Sequence, residues 1–329
     1  MGPRRTRPLG CASTAGGALL GVPACDSKPV WPNLPDSGMA PPAALPSPDR
    51  KPTDAEIDFH GLSHPGRVRS ENQDSFLLAT IHRTLVLRHN NVAGRVALPQ
   101  QEERLAFLAM VADGVGGGVG GADASATALE AAMDYVDHLV AVYSGARAQV
   151  GDLAEALQQG ALAAHEAVRN RRATAGITGT MATTLTLFLG VWPTYYLLQV
   201  GDSRYYRYRA GVLTQVTRDQ TMAQDLVDEG VLSRAVAART PYAHVLSSAL
   251  GADATAPVVT RMDADWGNIH LLCSDGLTKH VSDRRLGEVL GSGLGAQACC
   301  EQLLQEALEG GGTDNITIIV GRTVPAAGT

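Results

Sequence analysis

From residue 54 onward the chain alternates short apolar runs of strand composition with longer stretches of helical period. Runs rich in β-branched, aromatic and aliphatic residues predict strands at 74–79, 105–112, 183–190, 195–200, 203–209, 269–273 and 316–320. Three segments repeat at helical spacing instead. The first, 124–143, puts Leu129, Met133, Val136 and Val140 on one stripe. The second opens with Asp152 and Glu155 in capping-box spacing and runs through Leu153, Leu157, Ala164 and Val168 to Arg171 and Arg172. The third, 296–308, stops at a run of glycines beginning at Gly310. Short connections such as Gly201-Asp202 and Ala210-Gly211 favour antiparallel hairpins over βαβ units. The class is therefore α+β, with antiparallel sheets flanked by helices.

The first fifty-odd residues follow no such period. Eleven of the seventeen prolines lie at or before Pro52, so residues 1–53 read as a disordered extension, 54–323 as the folded domain and 324–329 as a tail. The opening stretch carries arginines, a weakly apolar run and then Val22-Pro23-Ala24-Cys25, a faint likeness to a lipoprotein signal. That run is rich in Ala and Gly but poor in Leu, so the expected location is the cytoplasm, with export through Cys25 as the minor alternative. Met39 is an alternative start of translation. The most apolar stretch, 183–200, is broken by Trp192-Pro193-Thr194, which predicts a turn between strands and no membrane span.

Charge and cysteines narrow the classes. The chain has 329 residues, room for one large domain or two, and 33 acidic against 27 basic side chains. The resulting net charge of −6 argues against nucleic-acid binding. Five cysteines without CxxC spacing suit reduced thiols better than a disulfide framework.

Four aspartates stand where a cation would want them: Asp74 in RVRSENQD, Asp113 in FLAMVADGVGGG, Asp275 in IHLLCSDGL and Asp314 in GGTDNITIIV. Asp113 and Asp275 each end a short apolar run and precede a glycine, Gly114 and Gly276. A carboxylate at the end of a buried strand is held rigidly yet faces solvent, and glycine lets its own carbonyl approach a ligand. Hard divalent ions such as Mg²⁺ and Mn²⁺ take oxygen ligands of this kind. A single Asp-Gly pair reads as a turn; several of them closing separate strands read as a metal site.

In this order the motifs closely resemble the bacterial metal-dependent (type 2C, PPM-type) protein serine/threonine phosphatases. The resemblance rests on Gly66-Arg67-Val68-Arg69 through Asn72-Gln73-Asp74, ADGVGG at 112–117 and GTMATT at 179–184. It continues through VGDSRYYRY at 200–208, CSDGLT at 273–278 and GGTDNIT at 311–317, and so covers 55–322. It implies a sandwich of two antiparallel β-sheets flanked by α-helices, with two Mn²⁺ or Mg²⁺ ions in a cleft at one end. By similarity Asp113 would bridge the ions and Asp275 and Asp314 complete one side. The Gly114 carbonyl would ligate the other ion, and Asp74 would act through bound waters. Arg69 would receive the phosphate, with Arg67 and Arg218 as competitors. Asp202 reads either as a turn residue or as the seat of a third, weaker ion.

The resemblance further implies hydrolysis of phosphoserine and phosphothreonine proteins by a water activated between two ions. A partner serine/threonine kinase is among the implied substrates, and the protein is expected to be a monomer. Residues 217–251 correspond to the family's mobile flap, with Asp219 as its N-cap. One position departs from the pattern: Gly118 stands where many members place a histidine that protonates the leaving group. None of the nine histidines falls there, and His64 is the nearest in sequence to a site residue. The gap leaves open a catalytically weak regulatory or binding module.

Overall fold

The computed structural model describes residues 45–47, 49–82, 85–90, 104–116, 119–143 and 150–325. Gly118, Cys25 and most of the proline-rich extension lie outside them. In chain order the elements are β1 (Ile57–His64), β2 (Ser75–Ile81), β3 (Leu85–Asn90), β4 (Ala106–Ala112), β5 (Gly114–Val115), α1 (Val119–Tyr143) and α2 (Val150–Thr174). Next come β6 (Ala182–Thr183), β7 (Leu185–Val191), β8 (Thr194–Val200), β9 (Arg204–Arg209) and β10 (Val212–Gln215). Two short helices follow, α3 (Met222–Asp228) and α4 (Arg234–Ala237), then β11 (Val258–Asp263) and β12 (Ile269–Cys273). The chain closes with α5 (Asp275–Thr278), α6 (Asp283–Leu290), α7 (Ala296–Glu309) and β13 (Ile316–Thr323).

One sheet has the order β1-β13-β12-β9-β10, the other β11-β8-β7-β4-β2-β3, and β5 pairs with β6 apart from both. All pairings are antiparallel. Side chains alternate between two cores along each central strand. In β2, Phe76 and Leu78 meet Phe188, Tyr205, Leu272 and Ile319 between the sheets. Leu77, Ala79 and Ile81 instead pack under α1 and α2. In β13, Ile319 joins the inner core, whereas Ile316, Ile318 and Val320 pack under α5, α6 and α7. Strands buried on both faces read as unbroken apolar runs, and this explains why the sequence displays them without alternation. The four layers confirm the expected class.

Several local expectations need correction. Gly201-Asp202 does not close a hairpin: β8 pairs with β7 and β11, whereas β9 pairs with β10 and β12, so residues 201–203 carry the chain from one sheet to the other. Ala210-Gly211 does close one, β9–β10. Asp152 lies inside α2 and is not its cap. Body contacts also reach back to Arg50, within the segment assigned to the extension. Its guanidinium lies 4.5 Å over the Trp266 ring and donates to both oxygens of Glu56, while its carbonyl accepts from Trp266 Nε1. No helix among the described residues is long and apolar enough to cross a membrane.

Candidate metal centre

The strand registers bring one end of each central strand together. Ser75 faces Ala112, Leu185 faces Val200, and Cys273 faces both Arg204 and Ile318. The residues just beyond those ends are Asp74, Asp113, Asp202, Asp275 and Asp314. Five segments remote in sequence therefore deliver five carboxylates to one end of the sandwich.

Each is held by its neighbours. Asp74 is buried, and its Oδ2 accepts from Ser274 Oγ (2.7 Å), just beyond β12, and Thr317 Oγ1 (2.8 Å), near the start of β13. Asp113 is fixed through its backbone. Its N–H donates to Thr184 Oγ1 at 2.9 Å, and its carbonyl accepts from Thr184 N and Thr183 Oγ1, both at 2.9 Å. Thr184 Oγ1 also meets Ser203 Oγ at 2.8 Å, which ties the GTMATT and VGDSR segments together beside the site. The hydroxyls of GTMATT thus position Asp113, in keeping with a packing role. Gly114 opens β5 and pairs with Thr183.

Asp275 is not at a strand end as expected: it is the first residue of α5, two positions beyond β12, with Ser274 as the preceding cap residue. Gly276 behind it is obligatory, because a Cβ there would stand 1.9 Å from the Asn315 carbonyl oxygen. Asn315 in turn accepts from Gln73 N and donates to the Pro65 and Glu71 carbonyls, stitching the arginine-bearing loop to the start of β13. Gly66 in that loop has φ +81°, and a Cβ would meet the Asp314 carbonyl at 2.2 Å.

Arg69 reaches the centre. Its Nε and Nη2 hold Asp314 Oδ1 and Oδ2 at 2.8 and 3.0 Å, and its side chain stays 56% exposed. Arg218, the second competitor, is paired with Asp225 and Asp228 in the flap. Arg67 is tied by its N–H to the Gly312 carbonyl. Asp219 does not cap the flap helix, since Thr221 caps α3 and Asp219 binds Arg204. His64 takes the Gly66 N–H on its Nδ1, within its own loop.

Two residues that the motifs did not mark also enter the site. Lys279 Nζ stands 2.7 Å from Asp275 Oδ2 and 2.7 Å from Asp314 Oδ2. His244, within the flap, brings Nδ1 to 3.9 Å from Asp275 Oδ2. Lys279 follows Asp275 by one helical turn, so a helix predicted after residue 274 would have exposed the pair. No sequence signal places His244.

Burial and mutual repulsion dominate the electrostatics. Burial, then the charges of Asp74, Asp275, Asp202 and Asp314, push the Asp113 carboxyl well above its usual range. Burial raises Asp74 to about 6 despite the two hydroxyl donors. Burial and Asp275 raise Asp202 to about 7. Asp314 is drawn below its usual value: burial works against ionisation, but hydrogen bonds and charge from Arg69 and Lys279 outweigh it. A crowd of carboxylates this unfavourable to itself is stabilised by added cations, and its all-oxygen character fits hard divalent ions. No three His, Cys, Asp or Glu side chains among the described residues close around one point as they stand. Asp275 and Asp314 are turned to Lys279 instead. Ions of this kind keep several waters and need only one or two carboxylates each, so the donor set remains sufficient.

No family model matches the chain. Comparison with individual proteins is informative. The serine/threonine protein phosphatase PstP of Mycobacterium tuberculosis is 34% identical over 245 residues, 73% of this chain and 46% of that protein. The chain thus spans about half the length of the curated relatives it matches. A crystal structure of the M. tuberculosis phosphatase PstP superposes with a TM-score of 0.66 at 30% identity, covering 82% of this chain and 99% of that one. A structure of the PstP catalytic domain in complex with two manganese ions gives 0.63 at 30% identity, with the same coverage. With the sandwich, the aspartate-lined end and these relatives in agreement, the chain belongs to the bacterial PPM-type (type 2C) protein serine/threonine phosphatases.

Proposed function

We propose that the protein hydrolyses phosphoserine and phosphothreonine in protein substrates and requires divalent metal to do so. The observation that carries this reading is the convergence of Asp74, Asp113, Asp202, Asp275 and Asp314, from five segments within two residues of a strand end, onto one end of the sandwich. Asp113, the Gly114 carbonyl, Asp275 and Asp314 would hold two Mn²⁺ or Mg²⁺ ions, with Asp74 supporting them from behind through its Ser274 and Thr317 hydrogen bonds. Such ions supply charge neutralisation on the phosphate oxygens and make a water a competent nucleophile near neutral pH. Arg69, half-exposed and paired with Asp314, would receive phosphate oxygens through its planar guanidinium. The flap, 217–251, approaches the centre through His244 and carries the exposed apolar side chains Met222, Val231, Val236 and Tyr242, which would be available to a protein substrate. We assign the substrates to cytoplasmic phosphoproteins, a serine/threonine kinase among them.

The test is turnover of a phosphothreonine peptide with and without chelator. Activity should vanish on metal removal and return with Mn²⁺ or Mg²⁺. Asp275→Asn, folded by circular dichroism, should lose about several hundredfold in kcat at saturating metal. Retention of more than about a tenth of wild-type activity would show that Asp275 is not a ligand.

A further inference from the structure

Lys279 introduces a positive charge where the proposed ions would sit. Its ammonium makes two equal contacts of 2.7 Å, to one oxygen each of Asp275 and Asp314, carboxylates delivered by different elements. An ordinary i,i+4 helix pair would need only the first. The side chain retains 22% of its surface, so most of it lies against the cleft. Arg69 also holds both oxygens of Asp314, sharing Oδ2 with Lys279. Asp275 and Asp314 are therefore already charge-compensated by direct contact with protein cations, whereas among the described residues no ion pair is made to Asp113, whose carboxyl is pushed up by burial and by the charges of its neighbours.

Resting on the two-metal reading above, we propose that Lys279 is a resident counter-ion of the centre. It holds Asp275 and Asp314 together in the metal-free protein and competes with the ion those carboxylates would ligate. An ammonium and a divalent ion cannot share the same two carboxylates without like-charge repulsion at close range. Metal entry then requires Lys279 to release at least one carboxylate, which weakens metal binding. In exchange, the site stays assembled when metal is scarce.

Calorimetric titration of Mn²⁺ into metal-stripped wild type, Lys279→Met and Lys279→Arg tests this directly. The Met variant keeps the aliphatic stem and loses the charge, so it should bind Mn²⁺ about tenfold tighter or more, whereas the Arg variant should stay near wild type. Thermal unfolding supplies a second readout that a purely structural lysine would not produce. With chelator present Lys279→Met should melt below wild type, and in saturating Mn²⁺ the gap should close or reverse. If Lys279→Met misfolds, Lys279→Gln replaces it in both measurements. Equal or weaker Mn²⁺ binding by the uncharged variant, or the same loss of Tm with and without metal, overturns the proposal. Wild-type uptake of Mn²⁺ with an unchanged isotherm in the variant overturns the lysine's role alone. Failure of both proteins to take up Mn²⁺ overturns the metal-centre reading itself.

Discussion

Replacing Thr317 by Val probes how the buried Asp74 is supported. The hydroxyl of Thr317 is fully buried, donates to Asp74 Oδ2 at 2.8 Å and touches Ser63 Oγ at 2.8 Å. Valine keeps the shape and removes the donor. Ser63, which donates to Thr317 Oγ1 and accepts from the Asn72 amide, is only part-buried and can turn its proton elsewhere, so the main loss falls on Asp74, which is left with Ser274 on that oxygen. A hydrogen bond to a charged acceptor contributes about 1.5–3 kcal/mol, against about 1 kcal/mol for a neutral one. Burial raises the Asp74 carboxyl to about 6, and the two hydroxyl donors restrain that rise, so the variant's value should climb further. The sign follows from linkage. A carboxyl whose folded pKa is raised destabilises the fold increasingly as pH climbs from the unfolded value through the folded one. Thr317→Val should therefore cost about 2 kcal/mol near pH 8, where the wild-type carboxylate is ionised, and about 1 kcal/mol near pH 5, where it is protonated. Urea unfolding of both proteins with chelator at the two pH values measures this. A cost that is the same at both, or below about 0.5 kcal/mol at the higher one, would refute the claim that Thr317 supports an ionised Asp74.

Three further perturbations follow from the geometry. Gly276→Ala forces a Cβ to 1.9 Å from the Asn315 carbonyl, so the turn holding Asp275 must shift. About 1–3 kcal/mol of stability should be lost, read from the urea midpoint, together with Mn²⁺ affinity, read by calorimetry. Arg69→Ala should raise KM for a phosphopeptide about tenfold while kcat changes by less than about threefold; a KM that does not move would exclude a phosphate contact. Burial depresses the pKa of His270, between the sheets, from 6.5 to about 3. The unfolded chain binds this proton and the folded one does not, so stability should fall with decreasing pH below about 6.5, by at most about 1.4 kcal/mol per unit. His270→Gln should flatten that slope in urea titrations, and an unchanged slope would assign the acid sensitivity to other groups.

The sequence alone determined the parts whose physics is local. Strands such as Ile269–Cys273 and Ile316–Thr323 were legible because burial on both faces demands unbroken apolar runs. Helix α7 was legible because its stripe and its terminal glycines are both written in the chain. Asp113 and Asp275 stood out as members of a set, because one Asp-Gly pair is an ordinary turn whereas several aspartates closing separate apolar runs are not. Weaker or shorter elements escaped: β10 and β11 lie at the sheet edges without a fully buried residue, and α5 is a single turn with no period to detect. Tertiary structure decided everything that depended on which strand lies beside which. The chain switches sheets at Gly201–Ser203, a step that local turn chemistry cannot distinguish from a hairpin, and the switch brings Asp202 into the cleft. Ser274 and Thr317, more than forty residues apart, acquire a role only when β12 and β13 pair and enclose Asp74. The same holds for Lys279: one turn past Asp275 it reads as a surface charge, and only the approach of Asp314 from the start of β13 turns it into a cation inside the centre. Propensity and pattern act over a few residues, whereas electrostatic partners are chosen by packing across the whole chain.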